Sequence, residues 1–178
     1  MTKTAVLVID VLDDAVRGKL AGVRAQGIIA PIKRLLDAAR AAEAPVVYCN
    51  DAHLVGIDHE LELWGPHCLA GSASAAVYGE VAPASGDYVV EKRRYSAFFQ
   101  TGLALLLKEL EVERLVLVGL FTNICVEHTA ADAYFWNYQL VVPADAVQAI
   151  TDADQDSALE RMQALYAADI TTVDAVAF

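Results

Sequence analysis

Short runs of apolar residues recur along the chain, and many of these residues are β-branched. Six runs predict strands, at residues 5–9, 46–50, 87–91, 114–119, 139–143 and 170–174. A continuous apolar run of this length is typical of a strand that is buried on both faces of a parallel sheet. The pattern therefore predicts a buried, mainly parallel sheet.

Helical periodicity separates most of these runs. Amphipathic or apolar helices are predicted at residues 24–42, 99–110, 125–137 and 154–167, and loops at 11–23 and 70–86. Strands that alternate with helices form a doubly wound α/β fold. We predict one domain over residues 1–178, with three layers and helices on both faces of the sheet. The six strands are expected in the order 3-2-1-4-5-6.

Composition narrows the function classes. The net charge is −11, and a strongly acidic chain lacks the basic surface that nucleic acid requires. Hydrophobic residues make up 56% of the sequence, yet no apolar run is long enough to cross a bilayer and no extended signal-peptide core is expected. We expect a cytoplasmic protein with large buried faces, including contacts between subunits. The three cysteines fit a reducing compartment.

Three chemically useful residues follow predicted strands. Asp10 follows the first strand, Lys92 the third, and Cys125 lies just beyond the fourth. In a doubly wound sheet the ligand crevice lies beyond the carboxyl ends of the strands. We therefore expect these residues at one edge of the sheet. Taken alone, Asp10 could instead form a turn, and Lys92 could belong to a solvated basic turn.

Cys125 is the candidate nucleophile. It comes directly after Thr122 and Asn123, whose side chains could cap a helix, so we expect the thiol near a helix N-terminus with a lowered pKa. Asp10 could take the thiol proton, Lys92 could hold that carboxylate, and backbone N–H groups could stabilise an oxyanion. This arrangement predicts acyl transfer from an amide through a thioester.

The remaining cysteines and one histidine supply the alternatives. His128 is a rival base one helical turn after Cys125, although a packed or interface position fits it better. Cys49 and Cys68 could act as resolving partners in a thiol-redox protein, but no CxxC pair is present and Cys49 belongs to a predicted strand. A non-catalytic binding or assembly protein of the same fold is a further alternative.

Residues 51–68 contain the densest group of candidate metal ligands. Asp51, His53, His59 and His67 all lie there, and carboxylate and imidazole groups suit zinc, manganese or iron. Surface histidines in a loop are the alternative explanation. Trp64, in the same segment, could be a core residue or a pocket wall.

Three segments together resemble the isochorismatase-like cysteine hydrolases, which include nicotinamidases and N-carbamoylsarcosine amidohydrolases. These segments are VGLFTNICVEHTAADAYFWNYQLVVPADA, EKRRYSAFFQTGL and WGPHCLAGS. The likeness extends over nearly the whole chain, from VLVIDVLDD to VVPADAV. It implies a catalytic triad of Asp10, Lys92 and Cys125, which agrees with the residues at the strand ends.

The resemblance also makes local predictions. It implies a cis peptide between Leu120 and Phe121, an oxyanion hole from the backbone N–H groups of Phe121 and Cys125, and a substrate pocket that includes Trp64, Leu120 and Phe121. It places one divalent metal on Asp51, His53 and His67, with His59 as a less favoured further ligand.

The sequence departs from the family where the substrate would bind. The family commonly has Asp-x-Gln-Asn-Asp-Phe after the first strand, whereas this chain reads DVLDDA. Ala15 takes the place of an aromatic residue that helps to enclose a nicotinamide ring. We therefore predict a hydrolase of a small amide, ureide or carbamoyl compound, with a true metal-dependent nicotinamidase as the alternative. The expected partners are a small-molecule substrate and further copies of the chain in a dimer or tetramer.

Overall fold

The computed structural model describes residues 2–22 and 24–178, so Met1 and Val23, the last residue of the predicted 11–23 loop, lie outside the described residues. The strands of its single sheet are β1 (Thr4–Ile9), β2 (Val46–Asp51), β3 (Tyr88–Lys92), β4 (Arg114–Leu120), β5 (Gln139–Pro143), β6 (Val147–Gln148) and β7 (Asp169–Thr171). The α-helices are α1 (Asp13–Val16), α2 (Ile29–Ala41), α3 (Glu60–Trp64), α4 (Leu103–Glu109), α5 (Glu127–Phe135) and α6 (Asp152–Tyr166).

The strand order is β3-β2-β1-β4-β5-β7, and every pairing is parallel. The predicted order is confirmed, with β7 as the expected sixth strand. The short strand β6 was not predicted and pairs with the end of β4. Two residues are too few to give a periodic signal in the sequence, so β6 is identified only by its pairing with β4 in the structure.

Two apolar layers enclose the sheet. The central strands β1, β2 and β4 are almost wholly buried, because the two faces of each strand contribute to different core clusters. Helix α2 packs on the face that carries Val6 and Val8, while α4 and α5 pack on the face that carries Leu7 and Ile9. The helices predicted at 24–42, 99–110 and 125–137 begin too early, and 3-10 or π-helical turns precede α2 and α5. The helix predicted at 154–167 begins two residues too late.

Strand register fixes which residues meet at the carboxyl edge of the sheet. Lys92, the last residue of β3, pairs with Asp51, the last residue of β2. Ile9 pairs with Cys49 on one side and with Gly119 on the other, so Asp10 follows at the centre of this edge. No helix in the described residues combines the length and apolar character needed to cross a membrane.

Candidate active site

Lys92 is the centre of the polar cluster at the carboxyl edge of the sheet. Its side chain is fully buried, with the ammonium 2.7 Å from Asp10 Oδ2 and 2.6 Å from Asp51 Oδ1. The same Nζ lies 3.5 Å from Cys125 Sγ and donates to the Arg94 carbonyl at 3.2 Å. Burial alone lowers a lysine pKa, but attraction to the two carboxylates outweighs it and raises the pKa of Lys92 well above its ordinary value.

Asp10 lies directly after β1 in a left-handed backbone conformation, with φ of 49°. Its Oδ1 accepts a hydrogen bond from the Asp51 backbone N–H at 2.7 Å, which fixes the carboxylate against β2. Burial and the neighbouring Asp51 charge raise the pKa of Asp10 to about 6, against the opposing effect of Lys92. A carboxylate with this pKa is ionised at neutral pH and is a stronger base than an exposed aspartate.

Cys125 is 6% exposed and lies in a π-helical turn, Thr122–Val126, that leads into α5. One oxygen of Asp10, one of Asp51 and Cys125 Sγ all lie within 4.8 Å of one another. Burial raises the pKa of the Cys125 thiol well above its ordinary value despite the nearby Lys92. The predicted lowering of this pKa is therefore wrong, because desolvation of the thiolate outweighs the attraction of the Lys92 charge. A buried, protonated thiol needs a base.

The turn before Cys125 depends on Gly119 and a cis peptide. Gly119 has φ of 119°, and a Cβ atom there would lie 2.0 Å from the Ile9 carbonyl oxygen, so only glycine fits. The predicted cis peptide between Leu120 and Phe121 is confirmed. The Phe121 carbonyl accepts hydrogen bonds from the N–H groups of Ile124 and Val126. These bonds close the turn that presents Cys125.

The predicted capping by Thr122 and Asn123 is wrong. The turn and α5 begin without a side-chain cap. Instead, the Thr122 hydroxyl donates to Gln155 Oε1 at 2.7 Å, and the same oxygen accepts from the Ala149 N–H at 2.7 Å. Gln155, which belongs to α6, also donates to the Val147 carbonyl in β6. The buried side chain of Gln155 thus joins the nucleophile turn to β6, a role that no sequence pattern indicated.

A second polar cluster adjoins the first and could hold a metal ion. It consists of Asp51, His53, Glu60 and His67, whose candidate ligand atoms all lie within 4.8 Å of one another. His53 Nε2 is 3.6 Å from Asp51 Oδ2 and 3.7 Å from Glu60 Oε1, and His67 Nε2 is 3.9 Å from Glu60 Oε1. Asp51 therefore contacts Lys92 with one oxygen and the second cluster with the other.

Each of the two histidines directs its Nε2 atom toward the carboxylates of the cluster. His67 Nδ1 donates to the Gly65 carbonyl at 2.8 Å, so its Nε2 can carry a lone pair toward the cluster. His53 Nε2 is buried and has no hydrogen-bond partner in residues 2–22 and 24–178. Two imidazole nitrogens and two carboxylates are a suitable ligand set for zinc, manganese or iron, so these residues fit such an ion.

His59, the less favoured further ligand, is not part of this cluster. Its side chain is 85% exposed and lies 3.5 Å from Glu62. The adjacent Glu60 points inward instead, because neighbouring residues at the start of a helix face different directions. Glu60 was missed by the sequence analysis, which counted histidines in a segment where α3 was not expected. Burial and the Asp51 charge raise the pKa of Glu60 to about 7.

A cavity lined by residues of both clusters connects them. Its lining is mainly apolar, with polar groups from both clusters: Asp10, Ala15, Leu20, Asp51, Glu60, Trp64, His67, Cys68, Tyr95, Leu120, Phe121, Ile124, Cys125 and Ile150. The structure thus brings together every predicted pocket residue. Trp64 donates from Nε1 to the Tyr95 hydroxyl at 3.0 Å, which fixes this wall. Ala15 also lines the cavity, at the position where the family commonly has an aromatic residue.

The rival residues lie in settings that do not suit the chemistry proposed for them. His128 is exposed, and its Nδ1 donates at 2.7 Å to the carbonyl of Ile124 in the π-helical turn before α5. Cys49 is a core residue of β2, and burial raises its pKa to about 12. Burial also raises the pKa of Cys68. All three cysteines are free.

Comparison with known proteins identifies relatives along nearly the full length of the chain. The isochorismatase domain family matches residues 4–175. The crystal structure of N-carbamoylsarcosine amidase from Thermoplasma acidophilum superimposes with a TM-score of 0.93 at 35% identity, covering 99% of this chain and 100% of that one. These matches extend over the entire sheet and both polar clusters.

Two further relatives bear on substrate and metal. The ureidoacrylate amidohydrolase RutB of Rhizobium rhizogenes is 33% identical over 174 residues, covering 82% of this chain and 70% of that protein. The pyrazinamidase of Pyrococcus horikoshii, solved in complex with zinc, has a TM-score of 0.88 at 25% identity, covering 96% of this chain and 99% of that one.

Proposed function

The chain belongs to the isochorismatase family, and we propose that it is a cysteine-dependent hydrolase that cleaves the C–N bond of a small amide, ureide or carbamoyl compound. One observation carries the proposal. The buried Lys92 ammonium contacts Asp10, Asp51 and Cys125 within 3.5 Å, and these three partners line the cavity. The amidase and amidohydrolase names of two relatives support the same reaction class.

The chemistry begins with proton transfer. Asp10, ionised at neutral pH, takes the proton of the Cys125 thiol as the sulfur attacks the substrate carbonyl carbon. A tetrahedral oxyanion forms, which the backbone N–H groups of Phe121 and Cys125 would stabilise. Lys92 keeps Asp10 in place and balances the charge as the carboxylate gains and loses its proton.

The intermediate then collapses. The C–N bond breaks, and the leaving nitrogen takes the proton from Asp10, which leaves an acyl group on the sulfur as a thioester, or a thiocarbamate for a ureide. Water attacks this carbonyl while Asp10 accepts a proton from it. The C–S bond breaks, and the sulfur regains its proton from Asp10, so the enzyme returns to its starting state.

Asp51, His53, Glu60 and His67 would hold a divalent metal, with zinc favoured by the zinc-bound pyrazinamidase relative. Such an ion would supply a Lewis acid that orients a nitrogen or oxygen atom of the substrate. The cluster and Trp64 favour the alternative of a true nicotinamidase. Ala15 argues against it, because the aromatic residue that helps to enclose a nicotinamide ring in the family is missing at this position.

An ammonia-release screen over small amides and ureides, nicotinamide included, tests the proposal. Cys125→Ala should abolish release, while Cys49→Ala, which removes a core thiol from β2, should retain it. Intact-mass measurement during turnover should reveal an acyl adduct that Cys125→Ala lacks. Full release by Cys125→Ala would refute the mechanism. No turnover, no adduct and an ordinary alkylation rate would favour a non-catalytic binding protein.

The remaining expectations concern setting and assembly. We propose that the enzyme works on a small molecule in the cytoplasm and that it forms a dimer or tetramer. Several large apolar side chains on the surface support an assembly, among them Leu63, Phe99 and Phe135. Sedimentation equilibrium of the full chain measures this, and a strictly monomeric protein would contradict it.

A further inference from the structure

Asp58 is a fully buried carboxylate that belongs to neither polar cluster. It lies in the metal loop, which we define as residues 52–69. Its Oδ2 accepts from the Leu54 N–H at 2.8 Å and lies 3.3 Å from His53 Nδ1. We propose that Asp58 is a positioning residue that orients His53 for metal binding and fastens the metal loop to the end of β3. The proposal rests on the metal site of the proposed function.

The contact with His53 decides which ring nitrogen is free. Arg93 donates hydrogen bonds to both oxygens of Asp58, and a carboxyl group paired in this way with a guanidinium is an ionised carboxylate. An ionised carboxylate can only accept a hydrogen bond, and therefore His53 Nδ1 must carry a proton. The Nε2 lone pair of His53 can then point toward Asp51 and Glu60, where that nitrogen is buried without a partner in the described part of the chain.

The contact with Arg93 decides where the metal loop is held. Arg93 Nε lies 2.9 Å from Asp58 Oδ1 and 3.1 Å from Oδ2, and its Nη2 also donates to Oδ1. Arg93 follows Lys92 directly, and the Arg94 carbonyl accepts from Lys92 Nζ. Residues 92–94 thus contact the cluster around Lys92 through Lys92 itself and contact Asp58 through Arg93. A shift of this segment would move both clusters together.

Substitution of Asp58 should leave the chain folded. Arg93 and Arg94 are 44% and 39% exposed at their side chains, so losing Asp58 leaves two hydrated guanidinium groups and not two buried charges. Asp87 offers a matched control. It pairs with Arg40 at 2.6 Å and accepts from the Ala84 N–H at 2.8 Å, and its side chain is also buried. It precedes β3, at the opposite end of that strand from the metal loop.

The first measurement is zinc affinity by competition with a chromophoric chelator, using the metal-free full-length chain. Asp58→Ala should bind zinc roughly 10- to 100-fold more weakly than wild type, as expected for loss of a carboxylate that orients a ligand histidine. Asp58→Asn keeps an acceptor and should lose less, and Asp87→Ala should bind like wild type. Unchanged affinity in a folded Asp58→Ala protein, or an equal loss in Asp87→Ala, would overturn the proposal.

The second measurement is the tautomer of His53, read from long-range ¹⁵N–¹H correlations of the metal-free protein at alkaline pH. Wild type should carry the proton on Nδ1, and Asp58→Ala should show the Nε2–H form or a mixture. The same Nδ1–H tautomer in both proteins would refute the role of Asp58. Neither measurement needs a substrate. Zinc affinity and the His53 tautomer therefore test the role of Asp58 even if no amide is hydrolysed. If wild type binds no zinc, the metal assignment fails and the tautomer alone decides the role of Asp58.

Discussion

The two polar clusters share Asp51 but are built in different ways. The cluster around Lys92 takes its residues from the ends of β1, β2 and β3, and strand register alone brings them together. The cluster around His53 takes three of its four residues from the metal loop, where side-chain hydrogen bonds set the geometry. The first is fixed by the core of the protein. The second depends on residues such as Asp58 that only a structure reveals.

Asp10→Asn should give the largest loss of activity, and it tests the cluster around Lys92. Asparagine can still accept from the Asp51 N–H, but it cannot take the thiol proton. We expect kcat to fall by roughly 10²- to 10⁴-fold. The melting temperature should not fall, because burial makes the ionised Asp10 carboxylate costly in the folded state. Steady-state kinetics and thermal unfolding measure the two quantities, with Asp13→Asn, whose side chain is half-buried and pairs with Arg17, as control. A loss smaller than tenfold would count against Asp10 as the base.

Lys92→Met should lower the free energy of unfolding, whereas a substitution in the cluster around His53 should not. It leaves Asp10 and Asp51 facing each other without a cation, and breaking a buried ion pair in this way costs about 3–5 kcal/mol. Glu60→Gln in metal-free protein removes a buried charge whose pKa is already raised, so its free energy of unfolding should stay unchanged or increase. Urea denaturation measures both. Similar losses in the two variants would mean that the clusters do not differ as described.

The pH dependence of kcat/KM should report Asp10. Since the pKa of Asp10 is raised to about 6, activity should fall about tenfold per pH unit below that value, as protonated Asp10 cannot accept the thiol proton. The contribution to stability has the opposite sign: the cost of burying the charge is present above about pH 6 and disappears as the pH falls. Glu60→Gln should keep the same acidic limb if it folds. If the acidic limb of the kcat/KM profile shifts in Glu60→Gln, the group that titrates there is Glu60 in the metal loop and not Asp10.

Removal of a bound metal by a chelator should lower the stability of the protein without changing the reactivity of Cys125. At a zinc concentration 100-fold above Kd, the ion adds about 2.7 kcal/mol of stability, which a chelator should remove. His67→Ala should lose this gain, and the exposed His59→Ala should keep it. The alkylation rate of Cys125 should change little in either variant. Calorimetry with and without chelator, together with timed alkylation, tests the separation.

Thr122→Val should give the smallest effect. It removes one buried hydrogen bond to Gln155 and should cost about 1 kcal/mol, because Gln155 Oε1 retains the Ala149 N–H as a donor. The change lies beside the nucleophile and outside the metal loop, so zinc affinity should not move. Urea denaturation and the chelator competition check the two expectations. A change in zinc affinity would show that the turn and the metal loop are coupled.

The same contrast explains what the sequence could predict. Asp10, Lys92 and Cys125 follow apolar runs whose strand order was predictable, so their placement at one edge of the sheet could be predicted from the sequence. Glu60 could not be chosen over His59, because that choice depends on the direction in which a five-residue helix begins. The buried environment of Cys125 was equally inaccessible, since helix polarity can be read locally whereas desolvation depends on the whole fold.

Gly119 has a practical consequence for anyone who would redesign this cavity. Its missing side chain lets β1 and β4 approach closely, and these two strands lead directly to Asp10 and the Cys125 turn. Any larger residue would drive the strands apart and change the spacing between base and nucleophile. A mutational library would therefore vary cavity walls such as Leu20 and Ile150. Position 119 belongs with the invariant scaffold of such a library, although it touches no substrate-facing surface.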